Sequence, residues 1–161
     1  MKIRKATIND LEELTRIEAE CFPAAEVATE ESFRGRLEIY PDFFWILENE
    51  NGKIISFVNG MTTNDRILTD EMFKNPKLHD ENGDWQMIFG VNTLPEFRRR
   101  GYAEKVLRKV VEDAKSAGRK GVVLTCKDRL VPFYEKIGFV NEGLSESTHG
   151  GAVWYNMRII F

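Results

Sequence analysis

Three consecutive arginines followed by a glycine form the most chemically informative segment of the sequence. They open the run Arg98-Arg99-Arg100-Gly101-Tyr102-Ala103, between a predicted buried strand and a predicted amphipathic helix. Cations at the beginning of a helix oppose its dipole by about 0.3–1 kcal/mol each, so three of them call for an anion. The free N–H groups of the first turn, beside a glycine that permits close backbone approach, suit a pyrophosphate. The segment therefore predicts an anion site.

The same arginines also fit a solvent-exposed basic face, because Lys105, Arg108 and Lys109 follow on the helix. The glycine pattern alone is a weak signal, and the Gly-Lys-Ser/Thr of a P-loop is not present. Nucleic-acid binding is a third interpretation. It is disfavoured by a formal net charge of −3, from 23 Lys and Arg against 26 Asp and Glu, and by the lack of interleaved aromatic residues.

The helix behind the arginines must position this site. Its apolar residues fall on one face, namely Ala103, Val106, Leu107, Val110, Val111 and Ala114. Ala117-Gly118 predicts its end, and the preceding residues from Trp85 to Val91 predict one buried strand. Val122 to Leu124 then predicts a short buried strand, and Leu130 to Ile137 predicts a helix that ends at Gly138.

The N-terminal half predicts the order strand, helix, helix, hairpin. Lys2 to Ala6 is typical of a strand, and Thr7 with Asp10 forms a capping-box pattern at the start of a helix. That helix ends at Phe22-Pro23, and a second start signal lies at Thr29. Residues on the inner face of the first helix are Leu11, Leu14, Ile17, Glu18 and Cys21.

Two further regions complete the predicted order. Asn51-Gly52 predicts the turn of a hairpin between residues 42–47 and 54–58. Residues 63–84 are polar without clear periodicity, which predicts either a functional loop or a poorly ordered one. Two strands, about residues 139–142 and 153–160, close the chain. The whole order predicts an α/β fold in which helices cover both faces of a central mixed sheet.

The composition is that of a soluble globular protein. With 161 residues, 42% of them apolar and 30% charged, we expect one domain spanning residues 1–161. There is no apolar run of the roughly 20 residues that a membrane helix needs, and the start of the chain does not resemble a signal segment. Cys21 and Cys126 are too few for a disulfide framework and lack metal-ligand spacing. We therefore expect a cytoplasmic protein that binds neither a membrane nor a metal.

Two motifs in register resemble those of the GNAT acyltransferases. Arg98-x-x-Gly101-x-Ala103 after a strand is similar to their acetyl-coenzyme A motif, Arg/Gln-x-x-Gly-x-Gly/Ala. A second motif is similar to the serotonin (arylalkylamine) N-acetyltransferase branch. It consists of Cys126, Asp128, Leu130-Val131-Pro132-Phe133-Tyr134 and Gly138-Phe139, with Ile67-Leu68-Thr69 upstream. The resemblance extends along nearly the whole chain. It implies a mostly antiparallel mixed sheet of about seven strands, splayed between the fourth and fifth, with about four helices on its two faces.

The resemblance also implies a cofactor and a reaction. Acetyl-coenzyme A would insert its pantetheine arm between the splayed strands and donate its acetyl group to a small primary amine by direct attack, without a metal. Backbone groups of Val91, Asn92 and Thr93 would bind the pantetheine arm. The pyrophosphate would bind at Arg98 and at the amides of the residues that follow, Arg99, Arg100, Gly101, Tyr102, Ala103 and Glu104.

For catalysis, the resemblance implies that Tyr134 protonates the leaving thiolate, although a tyrosine beside Phe133 also fits a core position. Phe22, Pro23 and Trp154 fall where the branch has its acceptor pocket, and aromatic walls suit an apolar amine. Phe22 at a helix end and Trp154 in the core are equally compatible with the sequence. Cys126 matches a family cysteine, but a small core thiol is its expected role.

The sequence leaves the general base unassigned. An alkylammonium with a pKa of about 10.4 costs roughly 4.6 kcal/mol to neutralise at pH 7, so the amine needs help to lose its proton. Animal enzymes of the branch carry two histidines on the fourth strand, and the matching positions here are Met87 and Phe89, which accept no proton. In the preceding loop, His79, Asp80, Glu81 and Asp84 could relay the proton through water. Glu26 could instead hold an ammonium by its charge, and His149 lies in the late connection. Each of them also fits an exposed loop position.

Several acceptors remain open at this point. An arylalkylamine is the first expectation, and a polyamine, an aminoglycoside, an amino acid or a protein N-terminus is an alternative. Polyamines and aminoglycosides would require several carboxylates in the pocket, from Glu26 and from the Asp80-Glu81 region. A module that binds acetyl-coenzyme A without catalysing transfer is a further alternative. The sequence does not determine whether the chain forms a homodimer.

Overall fold

The computed structural model describes residues 1–161 and contains five helices and nine strands. The helices are α1 (Leu11–Cys21), α2 (Glu30–Ile39), α3 (Asp70–Lys74), α4 (Tyr102–Ser116) and α5 (Val131–Ile137). The strands are β1 (Lys2–Lys5), β2 (Phe44–Glu48), β3 (Ile54–Asn59), β4 (Thr62–Thr63), β5 (Trp85–Ile88), β6 (Gly90–Thr93), β7 (Gly121–Cys126), β8 (Val140–Leu144) and β9 (Tyr155–Ile160). None of the helices is long and apolar enough to cross a membrane.

The strands form two sheets that meet between β5 and β6. The first has the order β1-β2-β3-β6 and is antiparallel throughout. The second has the order β4-β5-β7-β9-β8, in which only β5 and β7 are parallel. The expected mixed, mostly antiparallel sheet covered by helices is confirmed, but the strand count is nine rather than seven and the helix count five rather than four.

Helices cover both faces of the first sheet. On β2, the ring of Phe44 packs edge-on against Phe33 of α2, with centroids 5.8 Å apart. The next side chain, Trp45, points to the opposite face and donates from Nε1 to Asp113 of α4 at 2.8 Å. Because neighbouring side chains of a strand alternate between faces, all residues of β3 and nearly all of β2 are buried.

The predicted helix termini are confirmed at four places. Thr7 and Asp10 form a complete capping box at the turn that leads into α1, and Thr29 caps α2 through the N–H of Ser32. Gly101 and Gly138 have positive φ angles of 80° and 117° at the start of α4 and the end of α5. Each signal depends on local backbone chemistry, so it can be identified in the sequence without knowledge of the tertiary fold.

The prediction of one strand over Trp85 to Val91 is wrong, because that segment changes sheets at Phe89. Its first half, β5, pairs with β7, whereas its second half, β6, pairs with β3. Gln86 stabilises this transition: its buried Nε2 lies within 2.7 to 3.3 Å of the carbonyl oxygens of Gly60, Met61 and Met87. β6 and β7 consequently diverge, and this is the splay expected between the fourth and fifth predicted strands.

The polar segment 63–84 is folded rather than irregular. It contains α3, a 3₁₀ turn at Pro76–Leu78 and the end of β4, and it buries Leu68 and Met72. His79 connects the segment to both sheets. Its Nδ1 accepts the N–H of Thr62 on β4 at 3.1 Å, and its ring lies 4.8 Å from those of Tyr40 and Phe43, which precede β2.

Candidate active site

A cavity of about 740 Å³ follows the gap between β6 and β7. The N-terminus of α4 lies at one end, and the α1–α2 loop, α3 and the connection before β9 form the other. Residues from β6, β7 and α5 line its middle. Its volume is within the range of small-molecule sites, and it contains most of the residues that the sequence singled out.

The N-terminus of α4 presents unpaired N–H groups to this cavity. Unlike the starts of the α1 segment and α2, it has no side-chain cap, and its first helical hydrogen bond runs from Lys105 N to Gly101 O at 3.0 Å. Arg99 and Gly101 both have positive φ, at 63° and 80°, which turns successive N–H groups toward one concave surface. Five of the predicted residues line the cavity here, namely Arg99, Gly101, Tyr102, Ala103 and Glu104.

The three arginines precede the helix instead of occupying its first turn, since α4 begins at Tyr102. Arg98 lines the cavity and donates from Nε to the carbonyl of Thr93 at 3.0 Å, which attaches the loop to β6. Arg100 lies outside the cavity, with its guanidinium 5.7 Å from the centre of the Phe97 ring. The prediction for Arg100 concerns its backbone N–H, and that part of the site stays a prediction.

On β6, Val91 and Thr93 line the cavity and Asn92 does not. Leu94 N–H donates to Ile55 O on β3, and backbone groups alternate in direction along a strand. The main-chain groups of Asn92 therefore face β3, and its carbonyl also accepts the hydroxyl of Ser56 at 2.6 Å. Those of Val91 and Thr93 face the gap. The backbone of Val91 and Thr93 is therefore better placed for a pantetheine arm than that of Asn92, and all three assignments stay predictions.

Tyr134 reaches the cavity from α5. The residue is buried among Phe133 and Phe139, whose ring centroids lie 5.0 and 5.8 Å from its own, and it lines the cavity. Burial raises the pKa of this phenol well above its ordinary value, with a smaller contribution from Cys126. The hydroxyl therefore retains its proton at neutral pH and can donate it.

Neither cysteine lies in surroundings that would activate its thiol as a nucleophile. Burial raises the pKa of the Cys126 thiol to about 11 and also raises the pKa of the Cys21 thiol. Cys21 donates from Sγ to the carbonyl of Thr93 at 3.4 Å. A protonated thiol is a poor nucleophile, so Cys126 fits the expected role of a small core residue.

Aromatic groups form the end of the cavity away from α4. Phe22, Pro23 and Trp154 all line it, although Trp154 lies just before β9 rather than on that strand. Sequence reasoning missed a further pair here: His149 stacks on Phe73 with centroids 5.3 Å apart. Trp154 Nε1 donates to the His149 carbonyl at 2.9 Å. The position of Phe73 on α3 within the polar segment gave no signal in the sequence.

Most of the loop candidates for a general base lie elsewhere. His79, Asp80, Glu81 and Asp84 do not line the cavity, and burial lowers the pKa of His79 in its aromatic contacts. Met87 is fully buried in the core and Phe89 lines the cavity, with its ring centroid 4.5 Å from that of Phe73. Of the candidates from the sequence, only Glu26 and His149 line the cavity.

Two buried charged residues that sequence reasoning did not select also line the cavity. Glu18 on α1 is 5% exposed and Arg36 on α2 is 3% exposed. Arg36 donates to Asn59 Oδ1 at 2.8 Å and to the Phe73 carbonyl at 3.0 Å. The available signal was the position of Glu18 in the buried stripe of α1, beside Leu14 and Ile17.

Comparison with known proteins identifies the family. The family model described as "Acetyltransferase (GNAT) family" matches residues 11–139, which is most of the chain, and the protein therefore belongs to that family. Serotonin N-acetyltransferase of Mesocricetus auratus is 28% identical over 110 residues, or 68% of this chain and 52% of that protein. The chain thus spans about half the length of this relative.

Two further similarities concern shorter or more distant matches. Glucosamine 6-phosphate N-acetyltransferase 1 of Oryza sativa subsp. japonica is 40% identical over 47 residues, which cover 29% of this chain and 28% of that protein. The crystal structure of the loading GNATL domain of CurA from Lyngbya majuscula superimposes with a TM-score of 0.84 at 20% identity, covering 99% of this chain and 96% of that one. The expected fold and family are confirmed.

Proposed function

We propose that this protein transfers an acetyl group from acetyl-coenzyme A to a small primary amine by direct attack. The observation that carries the proposal is one continuous cavity that joins the uncapped N-terminus of α4, the unpaired edge of β6 and the Tyr134 hydroxyl. Family membership supports the same reaction. A pyrophosphate at α4 and a thioester near Tyr134 would occupy the two ends of a single bound cofactor.

In this proposal the main chain binds the cofactor. The N–H groups of Arg99 and of the first turn of α4 bind the pyrophosphate, and Val91 and Thr93 offer main-chain groups to the pantetheine arm. Arg98 holds β6 and the loop together and adds positive charge near the phosphates. A peptide N–H of β6 that faces the gap can also stabilise the oxyanion formed on the thioester carbonyl.

Transfer then consists of attack and expulsion. The amine nitrogen forms a bond with the carbonyl carbon, the carbon–sulfur bond breaks, and Tyr134 donates its hydroxyl proton to the leaving thiolate. Because Tyr134 lines the cavity, its side chain can reach a thioester bound there.

An apolar amine, such as an arylalkylamine, fits the acceptor end better than a polycation does. Phe22, Phe73, Phe89 and Trp154 provide apolar walls there. A polyamine or aminoglycoside would need several unpaired carboxylates, but Glu26 is paired with Lys127 at 2.7 Å, Glu104 is paired with Lys136 and the Asp80-Glu81 region lies outside the cavity. The similarity to a serotonin N-acetyltransferase supports the same class of acceptor.

The melting temperature with and without acetyl-coenzyme A tests this proposal. A ligand at about 100 times its Kd stabilises a protein by roughly 2.7 kcal/mol, which for a domain of this size raises the melting temperature by about 5–10 °C. We expect a saturable increase with acetyl-coenzyme A that is weaker with dephospho-coenzyme A. No increase at millimolar acetyl-coenzyme A would refute the cofactor assignment, and with it the proposed reaction.

A further inference from the structure

Three carboxylates line the cavity, and only one of them lacks a positively charged partner. Glu26 Oε2 lies 2.7 Å from Lys127 Nζ. Glu104 lies 2.8 Å from Lys136 Nζ and 2.9 Å from Arg108 Nε. Glu18 makes no ion pair, although it is among the most buried acidic residues of the chain. A buried unpaired carboxylate is costly, so its position in a ligand cavity requires an explanation.

The two oxygens of Glu18 have different environments. Oε2 accepts the N–H of Ala28 at 2.9 Å, which fixes the side chain against the α1–α2 loop. The side-chain amide of Asn92 also interacts with the carboxylate, and Glu18 lines the cavity. Oε1 lies close to Gly90, because a Cβ atom added to that glycine would be only 3.7 Å from it. Since Gly90 is the first residue of β6, this oxygen reaches the point at which β6 and β7 begin to diverge.

Charged groups around Glu18 make it suitable as a proton acceptor. Burial raises the pKa of its carboxyl, while the N–H of Ala28, the charge of Arg36 and the side-chain amide of Asn92 partly offset that shift. His149, in the connection before β9, and Cys21, on α1 itself, are the other titratable groups that face it. A carboxylate with a raised pKa binds a proton more readily at neutral pH than an exposed one does.

We propose that Glu18 Oε1 binds the ammonium group of the acceptor and removes its first proton. The inference deepens the proposed function and rests on it. The neutral amine then attacks the thioester, the carbon–nitrogen bond forms and the carbon–sulfur bond breaks. The thiolate takes its proton from Tyr134, which is reprotonated by the second proton of the amine nitrogen. The first proton leaves Glu18 for solvent, so the cycle releases one proton with each amide formed.

The test is Glu18→Gln, because glutamine keeps an oxygen for the Ala28 N–H and loses only the negative charge. Its matched control is Glu20→Gln, the same change on the exposed side of the same helix. Acetylation of 2-phenylethylamine, tryptamine and putrescine is followed between pH 6 and 10. The affinity for acetyl-coenzyme A is measured separately by calorimetry.

We expect Glu18→Gln to lower kcat/KM for the arylalkylamines about 100-fold or more at pH 7, the usual loss for a general base. The difference in kcat/KM between Glu18→Gln and the wild type should become smaller as the pH approaches the amine pKa of about 10, where free amine is abundant. Acetyl-coenzyme A affinity should not change in either variant, and Glu20→Gln should match the wild type. A purely structural role for Glu18 would instead lower the activity equally at every pH.

The other outcomes are distinguishable. A wild-type protein that does not bind acetyl-coenzyme A contradicts the proposed function itself. A protein that binds the cofactor and acetylates amines, but whose Glu18→Gln variant keeps the wild-type rate and pH profile, overturns the assignment of Glu18 alone. Binding of acetyl-coenzyme A without transfer to any amine of the panel also overturns it, because the carboxylate would then have no ammonium to receive.

Discussion

The Tyr134 hydroxyl shows how the surroundings of one residue decide its chemistry. The residue is buried beside the rings of Phe133 and Phe139, so ionisation would leave a poorly solvated phenolate. The group therefore carries a proton at physiological pH and can release it only when a stronger base forms beside it. A thiolate expelled from a thioester is such a base at the moment of bond cleavage.

Tyr134→Phe tests this role at the scale of a single atom. The variant keeps the ring packing and loses only the oxygen, so we expect kcat to fall about 100-fold while the Kd for acetyl-coenzyme A stays the same. Tyr155→Phe on β9 is the matched control and should keep full activity. Rates measured at saturating cofactor check the expectation, and an unchanged kcat in Tyr134→Phe would remove the residue from the mechanism.

At the scale of elements, α4 differs from the other long helices in how it begins. The segment that leads into α1 is capped by Thr7 and α2 is capped by Thr29, whereas α4 begins at a glycine with no side-chain cap. Leaving these N–H groups unpaired costs stability, which a bound anion would restore. The two ends of α4 also make an internal comparison, because Gly101 and Gly118 have nearly equal φ angles of 80° and 77°.

Alanine at each of these glycines separates backbone strain from ligand binding. Neither added methyl group would meet an atom within 4 Å, so each variant should lose about 1–2 kcal/mol of stability from the left-handed backbone alone. Only Gly101→Ala should also lower the affinity for acetyl-coenzyme A, by about tenfold or more, because it disturbs N–H groups that would bind a charged phosphate. Unfolding in urea and calorimetry check the two expectations. Equal affinities in both variants would contradict the phosphate site.

At the scale of the whole molecule, His79 connects parts of the chain that are distant in sequence. Its ring contacts Tyr40 at the end of α2 and Phe43 before β2. Its Nδ1 accepts the N–H of Thr62, and its Nε2 lies 3.1 Å from Glu81. Burial lowers the pKa of this imidazole below its ordinary 6.5, so the folded protein contains it in the neutral form.

The pH dependence of stability follows from that shift. The unfolded chain binds a proton at His79 as the pH falls through about 6.5, whereas the folded chain binds it only at a lower pH, so folding loses stability on acidification. We expect the free energy of unfolding to decrease between pH 7.5 and 5.5, and to decrease less in His79→Asn, whose amide oxygen can still accept the Thr62 N–H. Urea unfolding at both pH values measures this. An equal decrease in both proteins would show that His79 does not contribute.

The features that could be predicted from the sequence are those that depend on interactions between residues close together in the chain. The helix caps at Thr7 and Thr29 and the glycine at position 101 involve only neighbouring residues, and the sequence predicts them correctly. The change of sheet at Phe89 depends on Gln86 and on carbonyls more than 20 residues away. The sequence did not indicate a role for Glu18 in the site for a similar reason. A glutamate on a helix is normally solvated, and only tertiary packing buries it.

The unpaired edge of β6 has a consequence for how such proteins can change over time. A site made of peptide N–H groups places few demands on side chains, since any residue that preserves the strand presents the same donors. Substitutions can therefore accumulate along Val91 and Thr93 without loss of the edge itself. A TM-score of 0.84 at 20% identity shows that the fold is kept when most side chains differ. The side chains around the acceptor end are then free to diverge toward new substrates while the backbone scaffold is inherited unchanged.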